Sequence, residues 1–504
     1  MSTKNTASVD TTTRTASGPI TSRRQFLAGS AAGFAALTVG FTLNGKVAAA
    51  AASELVPNPF VKVRADGTVV AILKHFEMGQ GVSTGLTTLI AEEMDANWDT
   101  IEFEFAPADT ATYKNLLFGA QGTGGSTAIA NSWDQYRTAG AATRDLFVRA
   151  AAETWGVAPE GLRVASGVVS DGSGRSATFA ELVDKASTLT PIENPKLKDA
   201  SEYVLIGKET VRRKDSVSKT DGSAMFAIDM KVPGMLHAVV ARPPRFGAAV
   251  ARFDDTETRK VRGVVDVKAI PQGVVVYAKN TWAAIKGRSK LQVTWDESAA
   301  ETRSSDAIIA EDRKELDAAG LNAANKGDAG VAITGAAKTV SAEFEFPFLA
   351  HAPMEPLNCI ISFDGKTAEL WDGCQFPTAV QGSVAAVLGI QPGDVKVNTM
   401  FAGGSFGRRT TPSSDYHSEA AQAVKAIDGK HPVKLVWTRE DDLHGGYYRP
   451  AYVQRVEAGV DADGKAAGWR HRLAGKSILI GTFFENMLVK DGIDKTSVEG
   501  ANDL

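Results

Sequence analysis

The sequence predicts an α+β fold divided among more than one domain. Three observations lead there. Runs alternating between apolar and polar residues recur, as at Ile101, Phe103 and Phe105 and at Val395, Val397, Thr399 and Phe401; this is the two-residue period of a half-buried strand. Other stretches keep the helical period, as Leu86, Leu89, Ile90 and Met94 do. The chain has 504 residues, 43% of them hydrophobic, enough for two or three domains with large cores.

Composition narrows the function classes. The formal net charge is −4, and no Lys/Arg block marks a surface for nucleic acid or another polyanion. The only cysteines are Cys359 and Cys374. They form no C-x-x-C pair, so this chain is not expected to hold its own iron–sulfur cluster or zinc site. Two buried thiols or one disulfide both fit that spacing, the thiols better.

Residues 1–52 read as a targeting segment. Ser22-Arg-Arg-Gln-Phe-Leu27 is a twin-arginine pattern, Phe26 to Phe41 is a short apolar run broken by glycines, and Ala48 to Ala52 offers small-residue cleavage sites. The apolar run is shorter than the ~20 residues a spanning helix needs. Export of a folded protein to the periplasm is the expectation, with an uncleaved membrane anchor as the alternative.

The first folded piece is expected over residues 53–206. Strands are predicted at Thr68–Leu73 and Ile101–Ala106, with a helix between them. Gly79-Gln80-Gly81 stands just before that helix, with Ser83 and Thr84 as cap candidates. The position predicts backbone N–H groups and a positive dipole end aimed at a phosphate. A second cluster, Gly122-Thr-Gly124-Gly125-Ser126-Thr127, precedes a long helix over about Ser132 to Trp155. Neither cluster is a G-x-G-x-x-G after a strand in a βαβ unit, so a Rossmann reading fails. Each alone reads first as an ordinary turn.

Residues 207–297 are predicted as a separate small α/β domain. Its strands are Leu236–Ala241, Val264–Ala269 and Gly273–Ala278, its helix about Trp282–Lys290. Arg245 and Phe246 carry no site assignment. A polar, Ala/Gly-rich stretch at Ser298–Gly335 leads into a last piece, 298–504, with strand signals at Thr339–Phe346, Ala368–Trp371, Val395–Phe401 and Val433–Thr438.

That last piece carries Phe401-Ala-Gly403-Gly404-Ser405-Phe406-Gly407-Arg408-Arg409. A strand, a glycine turn, two arginines and a helix N-terminus capped from Ser413 to Asp415 suit an anionic ligand. A tight strand-to-helix turn beside a surface arginine pair is the alternative. His351 and Glu355 have i, i+4 spacing, but Pro353 and Pro356 break the helix that would align them as metal ligands, so they are expected to shape the chain instead.

His351-Ala-Pro-Met-Glu-Pro-Leu-Asn-Cys359, Trp371-Asp-Gly-Cys-Gln-Phe-Pro377, Glu77-Met-Gly-Gln-Gly81 and the 401–409 stretch stand together in one chain. In that wording the chain resembles the molybdenum-binding large subunit of the xanthine oxidase (molybdenum hydroxylase) family. The branch it is most similar to is that of the isoquinoline 1-oxidoreductase β-subunits and periplasmic aldehyde dehydrogenases. The resemblance runs from about Val56 to Leu504. It implies a discontinuous cofactor-binding domain with the 207–297 region inserted as an α/β hammerhead. The Met-Gly-Gln-Gly motif preceding the hammerhead is typical of this branch.

By resemblance, the cofactor is molybdopterin cytosine dinucleotide. Gly79, Gln80, Gly81, Gly124, Gly125, Ser126, Thr127, Gly403, Gly404, Ser405, Gly407 and Arg408 would contact it. Gln375 would donate to an oxo ligand and Phe406 would lie over the metal. The reaction implied is hydroxylation of an aldehyde or an N-heteroaromatic carbon with oxygen from water. Electrons would pass to 2Fe–2S clusters on a small partner subunit and on to an acceptor such as a cytochrome c. Twin-arginine export of an already loaded protein is consistent with this. The family's glutamate base near the C-terminus has no counterpart here, and Glu440, Asp441 and Asp442 lie outside its context. Wording that is mid-domain in relatives ends at Leu504, so the resemblance predicts an incomplete second piece and no turnover by this chain alone. An inactive remnant or assembly fragment is the second reading and a periplasmic solute-binding protein the third.

Overall fold

The computed structural model describes residues 54–482 and 484–499. The expected twin-arginine segment lies outside the described residues, as do the residues after 499.

The chain opens with β1 (Leu55–Asn58), β2 (Val61–Val63), β3 (Val69–Leu73) and β4 (Glu102–Phe105), a sheet in that order with β3 and β4 parallel. Helix α1 (Val82–Met94) makes the parallel crossover and buries Leu86, Leu89, Ile90 and Met94, the face its spacing predicts. It lies along α2 (Trp133–Trp155), which follows the second glycine cluster as expected. At Gly140 the two helices are so close that a Cβ would stand 3.0 Å from both Glu93 Cβ and Ile90 O. A short meander, β5 (Arg163–Ala165), β6 (Val168–Ser170) and β7 (Ser176–Thr178), leads to α3 (Phe179–Ser187), where Phe179 stacks on Phe147 of α2. The piece closes near residue 206 because the buried Glu92 carboxylate of α1 accepts N–H bonds from Val204, Leu205 and Ile206; those bonds help hold its pKa down against the opposing effect of burial.

Next come β8 (Leu236–Ala241), β9 (Ala249–Asp254), β10 (Val264–Ile270), β11 (Gly273–Ala278), α4 (Thr281–Arg288) and β12 (Gln292–Asp296). β8, β10, β11 and α4 are the expected strands and helix, β9 and β12 are additional, and the expected strands do not stand apart. β8 pairs in parallel with β17 (Val433–Val436), Leu236 opposite Val433. One seven-stranded sheet therefore runs β10-β11-β8-β17 and on through β14 (Asn358–Phe363), β15 (Ala368–Asp372) and β16 (Val395–Thr399), across the predicted domain boundary. The reason is in β8 itself, which is apolar on both faces. Ala238 and Val240 join the core shared with Leu435 and Ile361, while Val239 packs with Val276 and with Ala283 and Ala284 of α4. Such a strand needs cover on both sides. Arg242 clasps Glu419 and Asp441, and Arg288 reaches Asp441 at 2.7 Å. Within this region β9 and β12 form a two-stranded ribbon of their own.

The polar 298–335 stretch contains α5 (Ser305–Glu315). It leads to β13 (Lys338–Phe346), β14 (Asn358–Phe363), β15 (Ala368–Asp372), α6 (Pro377–Leu388), β16 (Val395–Thr399) and α7 (Asp415–Lys425). Helices α6 and α7 pack on β14 to β17. Beyond β17, β18 (Tyr452–Val460) and β19 (Ala466–Gly475) pair with β13 in a separate sheet. No helix among the described residues is long and apolar enough to cross a membrane.

The first piece and the large sheet meet around Phe401. Its ring packs edge-on against Phe103 and Phe105 and tilts against Phe226, and its carbonyl accepts from Ala227 N–H. Thr378 Oγ1 accepts from Gln121 N–H at 2.9 Å.

Candidate cofactor site

Gln375 lies in the turn between β15 and α6, where Pro377 starts the helix. The turn is tight because Gly373 lies against β16's exit: a Cβ on it would come 2.5 Å from Ala402 Cβ. Gln375 is 2% exposed. Its carbonyl accepts from Thr123 N–H at 3.0 Å, and its Nε2 donates to Thr123 O at 2.7 Å. Its Oε1 accepts from Ser405 Oγ at 2.5 Å. One amide thus joins the second glycine cluster to the third. Phe76 N–H donates to Thr123 Oγ1 at 2.9 Å, tying in the chain that leads to Gly79. His75 lies between Thr123 Oγ1 and Asn131 Nδ2. Burial pushes its pKa down to about 3, so it is neutral.

Within the second cluster, Thr127 donates through N–H and Oγ1 to Gly124 O. Gly125 and Ser126 have positive φ of 57° and 53°, and both are exposed. For a serine that conformation is uncommon. In the third cluster Ser405 is buried, while Phe406 is 75% exposed with φ 56°. A bulky side chain held left-handed and in the open is a genuine outlier, typical of functional turns.

Three expectations need correction. The α1 N-terminus does not hold free N–H groups for a phosphate. The buried Glu77 carboxylate accepts from Gly79, Gly81 and Ser83 N–H at 2.7, 3.1 and 2.9 Å, and from Ser83 Oγ at 2.8 Å. Neither Ser83 nor Thr84 is the N-cap, which is Gly81, and the Gln80 side chain folds back on Phe76 O and Met78 N. The protein's own carboxylate is the nearest anion, which satisfies the orphan donors of the first turn.

The arginines are not a surface pair offering free charge. Arg408 and Arg409 are 2% and 1% exposed. Arg408 forks onto Asp415 with bonds of 3.0 and 2.7 Å and lies against Trp437. Arg409 donates to Gly404 O, Glu355 O and Glu355 Oε2, and its Nη1 stands 3.7 Å from Asp372. Ser414 is the N-cap of α7, but its side chain makes no cap bond; the Asp415 carboxylate instead binds Arg408.

Glu355 shapes the chain as expected, accepting from Gly403 N–H at 2.8 Å and donating its own N–H to Gly403 O at 3.0 Å. Thr123, Glu77 and Arg409 are legible in sequence only as members of the quoted motifs, not as the hubs they are. Cys359 and Cys374 are free, buried thiols whose pKa burial pushes well up. Asp372, Cys374 and His417 bring ligand-type atoms within 4.8 Å of one another. The Asp372 carboxylate is already engaged there by Tyr416 OH at 2.8 Å and His417 Nε2 at 2.7 Å.

Two features suit a hydrogen-bonding, oxygen-rich group. A Cβ built at Gly79, Gly124 or Gly407 meets nothing within 4 Å, so these turns face open space. Among the described residues Gln375 Nε2 donates only to Thr123 O, which leaves one amide hydrogen for a ligand.

The family described as "Molybdopterin cofactor-binding domain" matches residues 313–479 and, in a second form, residues 22–232. The chain is 34% identical over 476 residues to the beta subunit of the isoquinoline 1-oxidoreductase of Brevundimonas diminuta, covering 85% of this chain and 60% of that protein. It is also 34% identical over 438 residues to the membrane-bound aldehyde dehydrogenase (pyrroloquinoline-quinone) of Gluconacetobacter polyoxogenes, covering 82% and 55%. One subunit of the nicotinate dehydrogenase of Pseudomonas putida is 27% identical over 420 residues, covering 81% and 34%. The chain thus spans 60% or less of the length of these relatives. The chain belongs to the molybdopterin-binding large subunits of the xanthine oxidase family.

Proposed function

We propose that this chain binds molybdopterin cytosine dinucleotide and serves in hydroxylating an aldehyde or an N-heteroaromatic carbon with oxygen from water. The observation that carries the reading is the Gln375 amide, held between Thr123 and Ser405 with one donor hydrogen to give. That is the polarity an electron-rich oxygen ligand needs, and a neutral amide adds no charge beside an anionic group.

Gln375, the Gly124–Thr127 turn and the glycines of the third cluster, Gly403, Gly404 and Gly407, would hold the cofactor. The bound group supplies the redox chemistry that moves two electrons away from the substrate carbon. This chain's residues bind and orient. Thr123 and Ser405 aim the amide, Glu355 and Arg409 fix the Gly403–Ser405 backbone, and exposed Phe406 offers an aromatic wall. The electrons would pass to 2Fe–2S clusters on a small partner subunit and then to an acceptor such as a cytochrome c. The names of the relatives, an isoquinoline oxidoreductase and an aldehyde dehydrogenase, support the two substrate classes.

The test is turnover in heavy-oxygen water by the enzyme isolated from its own cells, against a panel of aldehydes and N-heteroaromatics. Label in the product supports hydroxylation from water; oxygen drawn from dioxygen contradicts it. The Ser22-Arg-Arg-Gln-Phe-Leu27 pattern supports export to the periplasm by the twin-arginine route. Retention of an Arg23→Lys, Arg24→Lys form in the cytoplasm is the expected result, and normal export of that form contradicts it.

A further inference from the structure

We propose that Ser405, braced by Arg409 and Glu355, is a positioning residue that, together with the Thr123 carbonyl, fixes the polarity of the Gln375 amide. The inference rests on the proposed function and deepens it. A side-chain amide has an oxygen that only accepts and a nitrogen that only donates, and a half-turn exchanges them. Partners decide which end faces where.

The partners here leave one arrangement. The Ser405 hydroxyl has a single proton. Its oxygen accepts from Arg409 N–H at 3.1 Å, and its own proton goes to Gln375 Oε1 at 2.5 Å. Across the amide, the Thr123 carbonyl can only accept, and it takes a hydrogen from Nε2 at 2.7 Å. The Thr123 carbonyl demands the nitrogen, which turns Oε1 toward the Ser405 proton, so what remains is a donor. A flipped amide would set Oε1 against the Thr123 carbonyl and forfeit the bond from the Ser405 proton.

Ser405 is itself held from both sides. Arg409 Nε donates to Gly404 O at 3.0 Å, and Gly403 exchanges two bonds with Glu355. Arg409 and Glu355 close the brace with bonds at 3.0 and 3.1 Å. All of Glu355, Gln375, Ser405 and Arg409 are buried, where paired polar groups favour one geometry. Ser405 therefore acts through Gln375, not by holding the cofactor as the sequence resemblance implies.

The test compares the molybdenum-loaded enzyme from its own cells with its Ser405→Ala and Ser405→Thr forms. Molybdenum per chain, the Mo(V) paramagnetic resonance spectrum, kcat and KM are read for each. Ser405→Ala is expected to keep its molybdenum, shift the spectrum and lower kcat by roughly tenfold or more with KM within about twofold. Ser405→Thr, which keeps the hydroxyl, is expected to restore both spectrum and rate. If Ser405→Ala does not fold, Ser405→Cys, a weaker donor of similar size, is read the same way with an intermediate effect expected. A loaded Ser405→Ala enzyme with unchanged spectrum and kcat overturns the inference and leaves the proposed function standing. Loss of molybdenum from Ser405→Ala also overturns it, because Ser405 would then hold the cofactor. Absence of molybdenum from the unsubstituted enzyme overturns the proposed function, and the inference with it.

Discussion

Replacing Arg409 by methionine should destabilise the protein by about 3–5 kcal/mol, the range for removing one partner of a buried ion pair. The contacts show where in that range the loss falls. Arg409 serves two carbonyls, Gly404 O and Glu355 O, each at 3.0 Å, and two carboxylates, Glu355 at 3.1 Å and Asp372 at 3.7 Å. Each buried carbonyl left without a donor costs about 1 kcal/mol or more. The carboxylates are cushioned. Glu355 keeps N–H donors from Gly403, Ile228 and Asn358, and Asp372 keeps Tyr416 and His417. The total should therefore be about 3 kcal/mol, the lower end of the range. Methionine fills most of the volume, so little of the loss is cavity. Urea unfolding read by pulse proteolysis measures the shift, and Glu355→Gln in the same background should recover roughly 1 kcal/mol by removing one uncompensated charge. A loss below about 1 kcal/mol for Arg409→Met would refute the view that this pair braces the 403–405 turn.

Two further outcomes are expected. Glu77→Gln removes the charge that gathers the first-turn donors of α1, so amide exchange at residues 79–83 should speed up by about thirtyfold, the equivalent of ~2 kcal/mol; unchanged exchange contradicts the cap. His75 gives a signed pH dependence. Its folded pKa, about 3, is below its ordinary 6.5, so the unfolded chain takes up the proton first as pH falls. Stability from this group is present above pH 6.5 and is lost as pH falls from there toward 3, at up to about 1.4 kcal/mol per pH unit. His75→Gln should flatten the acid limb of the stability profile, and a limb as steep as the original contradicts the neutral-histidine assignment.

Much of the architecture can be read from local pattern. Leu236–Ala241 and Gly273–Ala278 have the same bounds in sequence and structure, because short, mostly apolar runs with paired or tripled valines between turn residues read as strands. What sequence does not show is pairing. That β8 lies beside β17 depends on contacts about two hundred residues apart, and the two apolar faces of His237–Ala241 are compatible with either a small separate sheet or a large shared one. The charged strands β18 and β19 carry no clear signal because their alternation is between charged and small residues, not apolar and polar. At the site, residue identity is legible and residue role is not. Glu77, Arg408 and Arg409 stand where a ligand's charges would, yet their charges are met by the protein's own groups. A motif names which side chains converge; it does not say which of them face each other.

The most direct test of the account is the molybdenum and cytidine monophosphate content of the folded protein isolated from its own cells. The account predicts about one of each per chain, both lowered together when Gln375 and the 403–407 turn are altered jointly. A folded protein that carries neither would contradict it, and the glycine turns around Gln375 would then stand as structural turns alone.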